Sequence, residues 1–209
     1  VINLLVNFFT GLTAGASVIV SQFFGSGDRK KVDDSIHTIY AFSIIGSVIM
    51  TLIGITAAPA LLRLMNTPEE LLSDSILYLR IYFAGIFFVI IYNNGAELLR
   101  ALGNPDVTDF SLKEIRIHPK LLKSELLLGL PGGFQYAMYS ISNMIIQSAL
   151  NKFGTDTVAA WAAYGKLDAI VWMVSGAFGI AITTFVGQNY GAGKYDRVRK
   201  SIRVCIGMD

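Results

Sequence analysis

Polar side chains set at helical spacing inside apolar stretches are the residues of this chain best placed to do chemistry. Between Leu126 and Asn151, Tyr136, Ser140, Asn143 and Gln147 recur at steps of four, three and four, which puts them on one helix face, with Tyr139 on the neighbouring face. In the uncharged run Val1 to Phe24, Asn7, Thr10, Ser17 and Ser21 are spaced along a face in the same way. Glu97 follows Tyr92 and Asn93 near the end of another apolar run, and Asp168 stands in the last one. Hydrocarbon does not accept such groups, so each stripe either packs on another helix or lines a water-filled cavity. An acid at membrane depth costs roughly 2.5–3.5 kcal/mol, which makes Glu97 and Asp168 candidates for holding a proton or a cation. Each also has a plainer role open to it: Glu97 can pair with Arg100, three residues on, and Asp168 can sit at the membrane interface. Enzymatic catalysis is not expected. The chain shows no Ser-His-Asp set, no metal-ligand cluster and no paired intramembrane acids, and His37 and His118 fall in or near loops. Neither a metal nor an organic cofactor is therefore expected.

These side chains need long apolar helices to hold them. Of the 209 residues, 53% are hydrophobic and 15% charged, against about 25% charged in an ordinary soluble domain. The charges are also gathered, so that Val1 to Phe24, Ala41 to Leu62 and Leu126 to Asn151 carry none. Each of these runs can cross a hydrocarbon core that takes about 20 apolar residues. The reading is an all-α polytopic membrane protein with about five spans: Val1 to Phe24, Ile36 to Leu62, a third ending at Leu102, Leu126 to Leu150, and Ala159 to Asn189. Asp33 and Asp34 are expected to open the second helix at its positive end, and Thr67-Pro68-Glu69-Glu70 to open the third. Gly11 and Gly15 form a small-xxx-small pair that lets another helix approach closely, and Pro131-Gly132-Gly133 lets the fourth span bend.

Residues 105–124, with Lys113, Arg116, Lys120 and Lys123, read as a basic linker between a three-span part (1–104) and a two-span part (125–209). Thirteen of the 17 Lys and Arg residues lie within Arg29 to Lys31, Arg100 to Lys123 and Lys194 to Arg203. If successive spans alternate in direction, all three clusters share one side, and the positive-inside rule makes that side cytoplasmic. The same rule accounts for the basic linker, so the expected surroundings are membrane lipid and not nucleic acid. Cys205 is alone, which excludes an internal disulfide, and it reads as a small apolar residue.

One stretch occurs twice. Gln22 to Val32 and Gln188 to Val198 share a Gln, two Gly, a basic residue and a Val in corresponding places, so that Gln22, Gly25 and Gly27 match Gln188, Gly191 and Gly193. The match runs on to Ser35-Ile36 and Ser201-Ile202. In both copies a long apolar segment enters the motif and a basic amphipathic one leaves it. Internal duplication of this kind is typical of secondary transporters.

With the duplication in view, the chain resembles the multidrug and toxic compound extrusion (MATE) transporters. The residues that carry the likeness are Val20-Ser21-Gln22-Phe23-Phe24-Gly25-Ser26-Gly27, Leu98-Leu99-Arg100-Ala101-Leu102-Gly103-Asn104, Gly129-Leu130-Pro131-Gly132-Gly133, and Phe185 to Gly193. The resemblance implies two helical bundles related by a pseudo-twofold axis, with the five spans matching the family's second to fourth and seventh to eighth helices. It implies that the fifth and sixth helices have no counterpart between Asn104 and Lys113, that the first helix is also missing, and that the chain is a piece of something longer. On the same basis the function expected is a multi-pass antiporter of the cell membrane, exporting organic and often cationic compounds in exchange for Na⁺ or H⁺ by alternating access. Missing helices or another chain would be needed to close its cavity. Asn7, Tyr92, Asn93, Glu97, Tyr136, Tyr139, Ser140, Asn143, Gln147 and Asp168 would line the pathway, and the two Gly-rich turns would be connectors. No ion ligand carries over, because the Glu of some members' seventh helix falls here at Tyr139 and Ser140. The alternatives are a lipid-linked oligosaccharide flippase of related architecture, whose cavity should be richer in Arg and Lys, and a non-transporting remnant or partner subunit.

Overall fold

A computed structural model describes residues 2–64, 69–103, 115–150 and 153–208. It contains six helices among the described residues: α1 (Ile2–Ser26), α2 (Arg29–Leu64), α3 (Glu69–Leu102), α4 (Pro119–Leu150), α5 (Thr155–Gly191) and α6 (Tyr195–Met208). The Thr67-Pro68 helix start, the junction between Asn104 and Lys113, and the Asn151-Lys152 loop lie outside the described residues. Glu69 and Glu70 do stand in the first turn of α3, where acids favour the helix dipole.

Two helix starts differ from the sequence reading for a clear local reason. The second helix starts at Arg29 and not at Asp33, because Asp28 caps it: its Oδ1 accepts the Lys31 backbone N–H at 3.1 Å. The Lys31 side chain beside it holds the Asp28 carboxyl below its usual range. The fourth helix starts at Pro119, inside what reads as linker, with Pro in its first turn where a missing N–H costs nothing. Among the described residues, four helices are long and apolar enough to cross a membrane, by length and composition: the spans within α1, α2, α3 and α5. The helix α4 has the length, but Gln135, Tyr136, Asn143 and Gln147 dilute its apolar character.

The helix α1 is the centre of the assembly: half of its most apolar stretch is buried, whereas none of the most apolar stretch of α5 is. It packs against α2, α3, α4 and α5. Near its C-terminal end, Ala16 and Val20 join Val32, Ile36 and Ile39 of α2 and Leu98, Ala101 and Leu102 of α3 in one core cluster. Nearer its N-terminal end, Phe9 and Leu12 join Phe83, Ile86 and Ile90 of α3. There Gly54 of α2 lies flat against the Phe83 ring, and Thr51 donates to the Phe83 carbonyl at 3.1 Å. The helices α4 and α5 each pack on α1 and leave broad faces uncovered. The helix α6 is amphipathic and has no buried residue.

Candidate functional site

The duplicated stretch folds the same way twice. In each copy the helix ends at a glycine with positive φ, Gly27 at 77° and Gly193 at 70°. The Asp28 N–H bonds the Phe23 carbonyl and the Gly27 N–H the Phe24 carbonyl, both at 3.1 Å. In the second copy Lys194 bonds Asn189 at 2.8 Å and Gly193 bonds Tyr190 at 3.0 Å, at the matching positions. Both are Schellman caps, which consume the last carbonyls of a helix and turn the chain sharply.

The two copies also dock on each other, reciprocally. A Cβ added at Gly25 would overlap the Gln188 carbonyl, and one added at Gly191 would overlap the Gln22 carbonyl. Gln22 and Gln188 correspond in the repeat, as do Gly25 and Gly191, so this contact is self-complementary about a local twofold axis. The Gln188 side chain adds a bond at this junction, donating Nε2–H to the Ala101 carbonyl at 2.8 Å. Beside the contact lies an open cavity of about 610 Å³, lined by Val18 and Gln22 of α1, Leu128 of α4, Ile182 and Thr183 of α5 and Ile202 of α6.

Farther along α1, the small-residue pair finds its partner in α4. A Cβ at Gly15 would run into the Leu128-Gly129 backbone, and one at Gly11 into Gly132-Gly133. Glycine on both sides brings the two backbones into direct contact. This crossing positions Asn7, which donates Nδ2–H to Ser140 Oγ at 3.0 Å. Of the α4 stripe, Ser140 is buried by this contact, while Tyr136, Asn143 and Gln147 are exposed. Tyr139, one residue before, meets the Trp172 ring of α5 edge-on at 6.2 Å between centroids. One turn earlier in α5, Tyr164 donates its hydroxyl to Asp168 Oδ1 at 3.2 Å. Asn7 and Ser140 thus join α1 to α4, and the Tyr139–Trp172 contact reaches from α4 to α5 one turn from Asp168.

The predicted residues of α3 lie elsewhere. Glu97 pairs with Arg100, Nη1 to Oε1 at 2.5 Å. Tyr92 is 74% exposed and Asn93 is half-buried. Two groups escaped the sequence reading. Asn94, 1% exposed, is the buried amide of α3 and is hydrogen-bonded to Thr13 of α1. The one-residue difference from Asn93 could have been read from the apolar face it shares with Ile86, Ile90 and Leu98. Glu125, also 1% exposed, sits just before the uncharged run of the fourth span, where a charge reads as solvated. A sign of its burial is Gly129, one turn on, which forms the α1 contact.

The MatE family model matches residues 1–110 and 131–208. Among curated relatives, the probable multidrug resistance protein YoeA of Bacillus subtilis (strain 168) is 23% identical, with 97% of this chain and 57% of that protein covered. That alignment runs over 265 positions although this chain has 209 residues, so YoeA carries additional residues inside the matched region. The probable multidrug resistance protein YpnP of the same strain is 26% identical over 93% of this chain and 56% of its own length. A crystal structure of a MATE protein in a bent conformation shares the fold at TM-score 0.83 and 18% identity, covering 97% of this chain and 58% of that one. The chain therefore spans little more than half the length of the relatives it matches.

Proposed function

Because the chain belongs to the MatE family, we propose that it forms part of a secondary antiporter of the cell membrane that exports organic, often cationic, compounds in exchange for Na⁺ or H⁺. The observation that carries this reading is the reciprocal docking of the repeated turn, Gly25 on Gln188 and Gly191 on Gln22. Two related halves that meet at one self-complementary point can rock about it, opening a shared cavity first to one side and then to the other. The charge clusters support a cytoplasmic position for that point.

In this reading the substrate path runs between α4 and α5. Tyr139 and Trp172 offer ring faces to a flat cation, and Asn7 and Ser140 offer hydrogen bonds. Asp168, which accepts from the neutral Tyr164 hydroxyl, is the better candidate for the exchanged cation than Glu97, which is neutralised by Arg100. A cation moving inward along the membrane potential gains about 2.3 kcal/mol per 100 mV, enough to drive modest uphill export. Further helices, or a second chain, complete the wall that α4 and α5 leave open. Catalysis forms no part of this reading.

The test is transport by the chain reconstituted in lipid vesicles loaded with a fluorescent organic cation, with a Na⁺ or a pH gradient imposed in turn. Gradient-driven dye movement that is lost in Asp168→Asn is the expected result. Vesicles that hold their dye under both gradients sink the antiporter reading for this chain and favour a partner subunit.

A further inference from the structure

The Glu125 carboxyl is buried at the contact of α4 with α2, and among the described residues neither of its oxygens has a hydrogen bond of good geometry. The polar group beside it is the Ser35 hydroxyl, fully buried on α2 and likewise without a bond of good geometry. The charged groups around this contact are otherwise engaged. From α2, Asp34 accepts from Arg116 Nη2 at 3.0 Å and lies 3.2 Å from His118 Nε2. Also on α2, His37 turns its Nδ1 back to the Asp33 carbonyl at 2.8 Å. On α4 itself Lys123 is exposed, and α1 brings no charge at all, since Val1 to Phe24 has none. The lead-in to α4 is tied down by the His118 N–H, which donates to Thr38 Oγ1 at 3.2 Å. Among the described residues, Glu125 is thus walled in without a cation or a backbone donor to hold a negative charge. A neutral carboxylic acid suits this place. Its O–H can donate to Ser35 Oγ, satisfying both groups at once and burying no charge.

We propose that Glu125 is a proton-binding site that is occupied while α2 and α4 are packed together and releases its proton when they part and water reaches the carboxyl. Burial pushes its pKa up to about 8, with Ser35 pulling slightly the other way. The sign follows from linkage. The packed form binds the proton more tightly than an exposed carboxyl, whose pKa is 4.5. Packing of α2 on α4 is therefore fully supported below that value and loses support as pH rises through about 8. The use of such a site in exchange rests on the antiporter reading, but the binding does not.

The test uses the whole chain in lipid vesicles, with spin labels at Lys30→Cys and Lys123→Cys in a Cys205→Ser background. The distance between α2 and α4 is measured from about pH 5 to pH 9, alongside the infrared stretch of protonated carboxyl groups. The expected result is a longer-distance population that grows above pH 8 together with loss of one protonated-carboxyl band. In Glu125→Gln that band is absent and the short distance persists at every pH. A distance that does not respond to pH, or one that responds equally in Glu125→Gln, overturns the proposal. Neither readout needs transport. A chain that moves no dye but opens with pH keeps the proton site and loses the antiporter reading, and dye exchange without a pH-linked opening does the reverse.

Discussion

Asn93 and Asn94 are neighbouring amides about 100° apart around α3, and that rotation decides their roles. Asn94 points into the bundle and meets Thr13, whose hydroxyl also reaches the Phe9 carbonyl at 3.0 Å. Thr13 has one proton for two acceptors. The arrangement is satisfied when Thr13 donates to Phe9 and the Asn94 amide is turned so that its NH₂ donates to Thr13. Asn94→Ala should then cost about 1–3 kcal/mol of stability, since it removes a buried bond. Asn93→Ala should stay within about 0.5 kcal/mol. Thermal unfolding of the two variants in detergent decides it, and equal losses would show that α3 is rotated from the position described. Glu97 illustrates the same point from the other side: the three-residue spacing to Arg100 was enough to foresee the pair that forms.

At the scale of helices, legibility followed periodicity. The small pair Gly11 and Gly15, the Gly129 to Gly133 stretch and the stripe containing Ser140 stand out because each recurs at helical spacing, and the fold brings them onto one crossing. What the sequence did not disclose was pairing between elements distant in the chain: that α1, and no other helix, receives α4, or that Ser35 and Glu125 face each other. Burial of a charge just outside an apolar run leaves no periodic trace. The repeated turn was legible as a repeat, but its contact with itself was not, because a duplicated sequence does not say that its copies touch. That contact carries its own prediction. Gly25→Ala and Gly191→Ala each force the same two backbones apart, so each should destabilise by about 1–3 kcal/mol and by similar amounts. The double variant should cost little more than either alone, since one separation relieves both overlaps. Unfolding midpoints that fall by the sum of the single effects would mean the two glycines act at independent sites.

For the whole molecule, the contacts restrict how the chain can sit in a membrane. Both α1 and α5 end at the mutually docked turns, so they run in the same direction, while α4 pairs Gly15 with Gly129 and Gly11 with Gly133 and so runs against them. Phe153, just before α5, therefore lies at the end opposite to Ser26 and Ala192. The proposed cytoplasmic position of the docked turns rests on the basic residues: Arg29 to Lys31, Arg116 to Lys123 and Lys194 to Arg203 all flank these turns, and positive charge tends to be retained on the cytoplasmic side. The apolar face of α5, where Leu167 and Val171 are each more than 60% exposed and Val174 is 52% exposed, suits lipid or further helices and not water. In a Cys205→Ser background, a membrane-impermeant thiol reagent added outside intact cells should label Phe153→Cys and leave Ser26→Cys and Ala192→Cys untouched. After the membrane is opened all three should react. Labelling of Ser26→Cys and Phe153→Cys from the same side would contradict the helix directions, and labelling of Ser26→Cys alone from outside would keep those directions and reverse the charge rule.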